Sequence, residues 1–430
     1  MQTKIAVRGG NPLLGNVRIS GAKNAAACIL PATILAAGKC TIENVPAISD
    51  VTYTLRILES LGAKVRLLDK NTLEIDTAPL HGHTVTHDLT RHMRASYYFL
   101  GALLGRFGQA RVAMPGGCNL GVRPIDLHEK AFAMLGATVD TEENAIISCS
   151  AEKLVGTQIY FDVVSVGATA NAMLAAVRAD GRTQIENAAK EPHIVDLANF
   201  LNAMGANIRG AGTDTIRVDG VPQLHGCTWS VVPDQIEAGT YMVAAAATGG
   251  NVLVENVTPK HLESISAKLR ESGALVEEYD DAVRVIGHSR PHKCSVKTMP
   301  HPGFPTDMQP QMAVLLSVAT GTSYITESIF DNRFRWVDQL ARMGAVVKVD
   351  GKMAVVEGVE SLMGAPVQAD DLRAGAAMLI AGLMALGQTE IEHIEYIERG
   401  YENVVEKFKA LGADIFYLQD ADEDAVLLAG

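Results

Sequence analysis

Six times along the chain Gly-Ala is followed by an apolar strand-like run, preceded by an apolar residue or two in every copy but the fourth, where Ser272 takes that place. The marker stands at Leu61-Gly62-Ala63, Leu135-Gly136-Ala137, Met204-Gly205-Ala206, Ser272-Gly273-Ala274, Met343-Gly344-Ala345 and Leu411-Gly412-Ala413, at intervals of 74, 69, 68, 71 and 68 residues. A second glycine precedes each marker by 23 to 28 residues, at Gly38, Gly108, Gly181, Gly250, Gly321 and Gly387. A paired marker recurring this regularly signals a repeat architecture, in which no single unit buries its apolar face alone.

Each repeat has a local reading. A nearly all-apolar helix, as over residues 25–37 or 242–248, ends at the first glycine, which suits a C′ position. A short β-like run follows, as at 41–45, 184–187 and 253–256. An amphipathic helix, as over 50–61, then leads to Gly-Ala, and two short strands such as 64–68 and 72–75 come next. A linking strand joins the following repeat. A helix that is apolar all round must be buried. With 430 residues the chain exceeds one ordinary core, so the repeats group as three and three in two similar α/β domains around buried helices.

Composition removes several function classes. A formal net charge of −12 argues against nucleic-acid binding, which needs a basic surface, but leaves room for a small anion held by local arginines. No charge-free apolar run is long enough to span a bilayer, and the start Met-Gln-Thr-Lys-Ile lacks a signal-peptide pattern, so a cytoplasmic location is expected. The six cysteines form no CxxC pair, which argues against zinc and dithiol sites and for free thiols.

The polar residues concentrate in two settings. Counting back 14 to 16 residues from each first glycine gives Lys23, Arg94, Ser165, Asp234, Asp307 and Asp371, with Asn24, Gly167, Glu237 and Arg373 close by. Every buried helix therefore starts at a polar or charged residue. Capping accounts for Asp234 and Asp371. It does not account for Lys23 and Arg94, because a cation opposes the dipole at a helix start. An anionic ligand would compensate, and helix N-termini bind anions. Arg123, Arg333 and Arg399 add guanidinium groups suited to phosphate and carboxylate. Asp307 offers a base for a substrate hydroxyl, though a positive pocket would weaken it unless that hydroxyl is closely held. The second setting is the stretch from Met114 to His128. Its glycines and prolines predict a loop bearing Cys118, Arg123, Asp126 and His128, with Arg123 favouring the thiolate of Cys118.

These residues fall in motifs that resemble the enolpyruvyl transferases. The motifs are Gly21-Ala22-Lys23-Asn24, Met93-Arg94-Ala95-Ser96, the loop 115–128, Ser165-Val166-Gly167-Ala168-Thr169, Pro305-Thr306-Asp307-Met308-Gln309, Asn332-Arg333-Phe334, Asp371-Leu372-Arg373-Ala374 and Arg399-Gly400-Tyr401. The resemblance covers essentially the whole chain and is closest to the branch that acts on UDP-N-acetylglucosamine in the first committed step of peptidoglycan synthesis. It implies an inside-out α/β barrel of two domains, 1–21 plus 233–430 and 22–232, each of three repeats.

It also implies transfer of the enolpyruvyl group of phosphoenolpyruvate to the sugar 3-hydroxyl with release of phosphate. Lys23, Asn24, Arg123 and Arg399 would hold phosphoenolpyruvate, with Arg333 and Arg373 adding charge around its carboxylate and phosphate. Asp307 would orient or deprotonate the hydroxyl. Cys118 would protonate the methylene carbon, form a covalent adduct with phosphoenolpyruvate, and be alkylated by an epoxide-type inhibitor. Arg94, Arg123, Pro124, Ile125, Asp126, Leu127, Ser165, Val166, Gly167, Asp307 and Ile329 would contact the nucleotide sugar. No metal and no organic cofactor are implied. The chain departs from the family pattern at His193, where an acidic residue is expected, and at Val163, where some members carry lysine. Two other readings are the shikimate branch of the same family and a non-catalytic anion-binding protein on the same fold. The first has Ser-Lys-Ser where this chain has Ala22-Lys23-Asn24 and lacks the cysteine loop; the second sits poorly with Lys23, Cys118, Asp307 and Arg399 all being present.

Overall fold

The computed structural model describes residues 3–91, 93–114, 125–142, 145–288 and 290–419. The chain separates into two compact units: a split unit, Met1–Ser20 with Asp234–Gly430, and an inserted unit, Gly21–Pro233. Each contains three repeats, and each repeat places one helix inside and one four-stranded sheet outside. The inner helices are α1 (Lys23–Ala32), α2 (Tyr98–Phe107) and α3 (Val166–Ala176) in the inserted unit, and α4 (Gln235–Ala247), α5 (Gln309–Leu316) and α6 (Leu372–Met384) in the split unit. Their burial follows from composition: every residue of α3 from Gly167 to Ala176 is buried, as is every residue of α5. Removing one large apolar side chain such as Phe99 or Leu103 of α2 from water stabilises the fold by roughly 1.5–3 kcal/mol.

The sheets repeat one topology. In the third repeat, Gln158–Tyr160 links in and pairs parallel with Arg182–Glu186. That strand pairs antiparallel with Thr215–Asp219, which pairs with Asn207–Arg209. The register aligns Ile159, Ile185 and Ile216 on the buried face and Gln158, Gln184 and Arg217 on the other. All six sheets have this order of linking, first, third and second strand.

Two of them close the chain on itself. Thr228–Ser230, at the end of the inserted unit, links into its first repeat beside Lys39–Glu43. In the split unit the N-terminal strand Thr3–Arg8 lies between Gln388–Glu392 and Asp414–Gln419. The sixth repeat therefore takes its third strand from the start of the chain. The expectation that each repeat supplies both strands after its own Gly-Ala is corrected there.

The Gly-Ala marker has a conformational cause. All six of its glycines have φ between 91° and 103°. In the first repeat the Gly62 N–H donates to Glu59 O (2.9 Å) and the Ala63 N–H to Leu58 O (3.0 Å), the pair of bonds that closes a helix with a left-handed C′ residue. The expectation for the other glycine holds only at Gly108, which ends α2 with φ 66°. In the third, fifth and sixth repeats the inner helix stops at Ala176, Leu316 and Met384, and Gly181, Gly321 and Gly387 turn the chain into the next strand instead. The first inner helix is likewise shorter than expected, with a 3-10 turn, Thr33–Ala36, completing it.

Asparagine ends three of the first strands. Asn44, Asn187 and Asn256 have φ of 54°, 54° and 57°. Each donates its side-chain amide to the carbonyl just past the linking strand: Val231 (2.7 Å), Phe161 (2.8 Å) and Ile19 (2.7 Å). Asparagine tolerates the left-handed region, and its side chain clamps the linking strand in the same place each time.

Close helix packing sets the geometry in the inserted unit. A Cβ on Gly101 of α2 would lie 2.6 Å from Asn171 Oδ1 of α3, and one on Gly105 would lie 2.6 Å from Leu174 O. These glycines let α2 and α3 touch backbone to backbone and bring their N-terminal ends side by side. Among the described residues no helix is long and apolar enough to cross a membrane.

Candidate active site

In the split unit the site is built on one carboxylate. Asp307 lies in the 3-10 turn Thr306–Met308, which leads into α5. Its Oδ1 accepts from Arg333 Nη2 at 3.0 Å, and its Oδ2 accepts from Arg373 Nε at 3.1 Å and Nη2 at 3.0 Å. The two arginine side chains are 2% and 4% exposed, against 27% for Asp307. The paired groups are thus buried cations with a partly open carboxylate between them. Arg373 Nη1 and Arg333 Nε are buried without a hydrogen-bond partner among the described residues, so donors outnumber acceptors. Burial opposes the charge of Arg373, yet Asp307, Tyr401 and Asp234 hold its pKa above the ordinary arginine value.

Tyr401 ties the three inner helices of this unit together. Its hydroxyl lies 2.9 Å from Thr240 Oγ1 of α4 and 3.5 Å from Gln311 Nε2 of α5, and Arg373 of α6 stands over its ring at 5.5 Å. Burial raises the Tyr401 pKa, against the pull of Arg373. Arg399 follows the short helix Glu395–Glu398, two residues before this anchor. Asp234 and Asp371 cap α4 and α6, accepting from Ile236 and Glu237 and from Arg373 and Ala374 respectively, as capping predicts. Glu237 is buried beside Lys407 and accepts from the Ser20 N–H at 2.9 Å, so it fastens the chain where the split unit begins its excursion. Burial pushes its carboxyl up despite Lys407.

Glu327 is the organising residue that sequence reasoning missed. It is 1% exposed and follows the strand Thr322–Thr326. Its Oε1 accepts from Thr298 Oγ1 (2.8 Å), Ile329 N (2.8 Å) and Phe330 N (3.2 Å), and its Oε2 from Thr306 Oγ1 (3.0 Å). It therefore holds the Ile329 segment against the residue preceding Asp307.

The inserted unit carries the other predicted residues. Lys23 starts α1 and pairs with the buried Asp50 at 2.7 Å. The expectation that this cation needs an anionic ligand is corrected in part, because a carboxylate 27 residues further along the chain already opposes it. The Asn24 carbonyl accepts from Cys28 Sγ inside the same helix at 3.5 Å. Ser165 caps α3, accepting from Ala168 N at 3.3 Å, so Val166 and Gly167 form its first turn. Arg94 opens the 3-10 turn Arg94–Tyr97 before α2.

His128 joins these last two helix starts. It lies not in a loop but in the helix Asp126–Met134, 6% exposed. Its Nδ1 is 2.8 Å from Asn171 Nδ2, and its ring meets Tyr97 edge-on at 4.8 Å. A Cβ on Gly167 would lie 2.8 Å from His128 Cε1, so only glycine fits there without displacing the ring. Burial first, and then the charge of Arg94, lowers the His128 pKa to about 4. Ile125 and Leu127 are half-buried against the core and Asp126 is exposed. Cys118, Arg123 and Pro124 lie outside the described residues. His193 is buried in the helix Pro192–Ala203, and Val163 is exposed.

Three comparisons bear on this arrangement. The family profile described as EPSP synthase (3-phosphoshikimate 1-carboxyvinyltransferase) matches residues 7–408. A UDP-N-acetylglucosamine 1-carboxyvinyltransferase from Clostridium botulinum is 57% identical, over 97% of this chain and 100% of its own length. A UDP-N-acetylglucosamine 1-carboxyvinyltransferase 3 from Caldanaerobacter subterraneus is 56% identical over the same shares. Among solved structures, the enolpyruvyl transferase NikO from Streptomyces tendae matches with a TM-score of 0.88 and 26% identity, over 98% of this chain and 100% of that one. EPSP synthase from Acinetobacter baumannii matches with a TM-score of 0.75 and 20% identity, over 97% and 100%, and so shares the fold. The chain belongs to the enolpyruvyl transferase family. Within that family its similarity is greatest, among these comparisons, to the UDP-N-acetylglucosamine 1-carboxyvinyltransferases.

Proposed function

We propose that this enzyme transfers the enolpyruvyl group of phosphoenolpyruvate to the 3-hydroxyl of UDP-N-acetylglucosamine, releasing phosphate, in the first committed step of peptidoglycan synthesis. The observation that carries the reading is the Asp307 carboxylate gripped by the buried Arg333 and Arg373, with guanidinium donors left over. Such a group suits a reaction that must hold a trianionic substrate and activate a hydroxyl beside it. Relatives at 56–57% identity favour the nucleotide sugar over shikimate 3-phosphate as acceptor. A cytoplasmic location goes with this reading.

The chemistry runs as addition and then elimination. The acceptor oxygen attacks C2 of phosphoenolpyruvate while a proton goes to C3, giving a tetrahedral phospho-ketal. Loss of a C3 proton and of phosphate then restores the double bond. In this reading Asp307 orients the acceptor hydroxyl and takes its proton. Asp307 is 27% exposed between two buried arginines, so a substrate hydroxyl can reach its carboxylate. Arg333 and Arg373 offset the charge developing at the ketal, and fixed donors cost no reorganisation as it forms. Lys23 and Asn24, with Arg123 and Arg399, hold phosphoenolpyruvate, and Cys118 supplies the C3 proton. Arg94, the segment from Arg123 to Leu127, the α3 start at Ser165 to Gly167, and Ile329 receive the nucleotide sugar. An epoxide-type inhibitor would alkylate Cys118. Steady-state phosphate release tests the reading. It should require phosphoenolpyruvate and UDP-N-acetylglucosamine together, and turnover with shikimate 3-phosphate in place of the nucleotide sugar would overturn it.

A further inference from the structure

The six repeats allow a comparison of one position, the residue just after the first strand. In the first, third and fourth repeats it is asparagine, left-handed, donating to the carbonyl past the linking strand. In the fifth repeat it is Glu327, which is not in the left-handed region. The residue past its linking strand is Thr298, and here the hydrogen bond runs the other way, from Thr298 Oγ1 to Glu327 Oε1. Thr298 Oγ1 in turn accepts from Ser328 N at 2.9 Å, which closes the clamp. A clamp alone needs only the asparagine that serves three other repeats. The carboxylate adds a reach the amide lacks: Oε2 takes the hydroxyl of Thr306, the residue before Asp307, while Oε1 takes the Ile329 and Phe330 amides, which lead to Arg333. Both partners of the Asp307–Arg333 pair thus depart from segments fixed to one buried side chain.

We infer that Glu327 is a positioning residue for the transfer reaction, setting the Asp307 carboxylate against Arg333 and the acceptor hydroxyl through Thr306 and the 329–330 amides. The inference rests on the reaction proposed above. It touches neither substrate in this role, so its removal should act on turnover more than on phosphoenolpyruvate binding. A shift of about 1 Å in a reacting group costs on the order of 100-fold in rate.

Three variants test it. Glu327→Ala and Thr306→Val should each lower kcat by roughly ten- to a hundredfold, with KM for phosphoenolpyruvate within about twofold of the wild type. Glu327→Gln should recover most of kcat, because its carbonyl keeps the Oε1 contacts and the Thr306 hydroxyl can accept from the new amide. In parallel, hydrogen exchange should quicken at the Ile329 and Phe330 amides in Glu327→Ala but not in Thr306→Val. Should Glu327→Ala fail to fold, Thr306→Val decides alone, because it cuts only the arm to Asp307. A folded Thr306→Val with wild-type kcat, or a Glu327→Gln as slow as Glu327→Ala, overturns the inference. The exchange arm needs no substrate: a wild type that releases no phosphate while the exchange pattern holds would count against the proposed function and not against the placement of Glu327.

Discussion

Replacing His128 with glutamine should reverse how the inserted unit responds to acid. His128 is 6% exposed, and burial, with Arg94 adding to it, lowers its pKa from 6.5 to about 4. The unfolded chain therefore binds a proton between those values that the native state refuses, so stability falls as pH falls through the window. Between about pH 7.5 and pH 5 the loss is about 2 kcal/mol. Asp196 acts in the opposite sense. It is 2% exposed, and burial raises its pKa from 3.8 to about 6, against the bonds it accepts from Val232 and Trp229. Its native carboxyl keeps a proton the unfolded chain has released, and over the same interval acidification adds about 1.4 kcal/mol. The wild type should thus lose about 0.6 kcal/mol on acidification and His128→Gln should gain about 1.4 kcal/mol. Urea unfolding at the two pH values, followed by tryptophan fluorescence, measures this. The chain has two tryptophans, so a Trp336→Phe background leaves Trp229 reporting on the inserted unit alone. Comparing each protein with itself cancels the pH-independent cost of losing the Asn171 contact. Identical pH dependence in the two proteins would refute the linkage.

Other substitutions separate chemistry from packing. Asp307→Asn should lower kcat by on the order of 100- to 10,000-fold in the phosphate-release assay, because the amide cannot take the acceptor proton. Cys118→Ala should abolish both the covalent phosphoenolpyruvate adduct and epoxide labelling by intact mass; an adduct that persists would move the thiol chemistry to another cysteine. Gly101→Ala should cost about 1–3 kcal/mol in thermal or urea unfolding, since its Cβ would meet Asn171 Oδ1 at 2.6 Å and the Asn171 carbonyl oxygen at 2.7 Å. A melting midpoint equal to the wild type would show that α2 and α3 can part freely.

What could be read from the sequence was whatever has a local cause. The Gly-Ala marker was legible because a left-handed helix end needs glycine, and the polar helix starts were legible because Ser165, Asp234 and Asp371 cap the residues beside them. Asp307, Arg333 and Arg373 each stand out in the sequence as site residues, but their convergence on one carboxylate joins residues 26 and 66 positions apart and follows only from folding. Asp50 was invisible as the partner of Lys23 for the same reason, and so was the entry of Thr3–Arg8 into the last repeat, where Ile5 meets Ile391. Glycine and proline dominate the residues before His128 and predict a loop there, whereas the apolar spacing that makes a helix begins only at Asp126. A signal for Glu327 did exist. Aligning the repeats at the strand end sets a glutamate against three asparagines, a substitution no turn requirement explains.

The most direct measurement is the identity of the product. The enzyme, phosphoenolpyruvate and UDP-N-acetylglucosamine are incubated together, and the nucleotide sugar is examined by mass spectrometry alongside phosphate. The expected product is a nucleotide sugar heavier by one enolpyruvyl group, formed mole for mole with phosphate and nearly absent with Asp307→Asn. An unmodified nucleotide sugar, or phosphate released without it, would contradict enolpyruvyl transfer to the sugar.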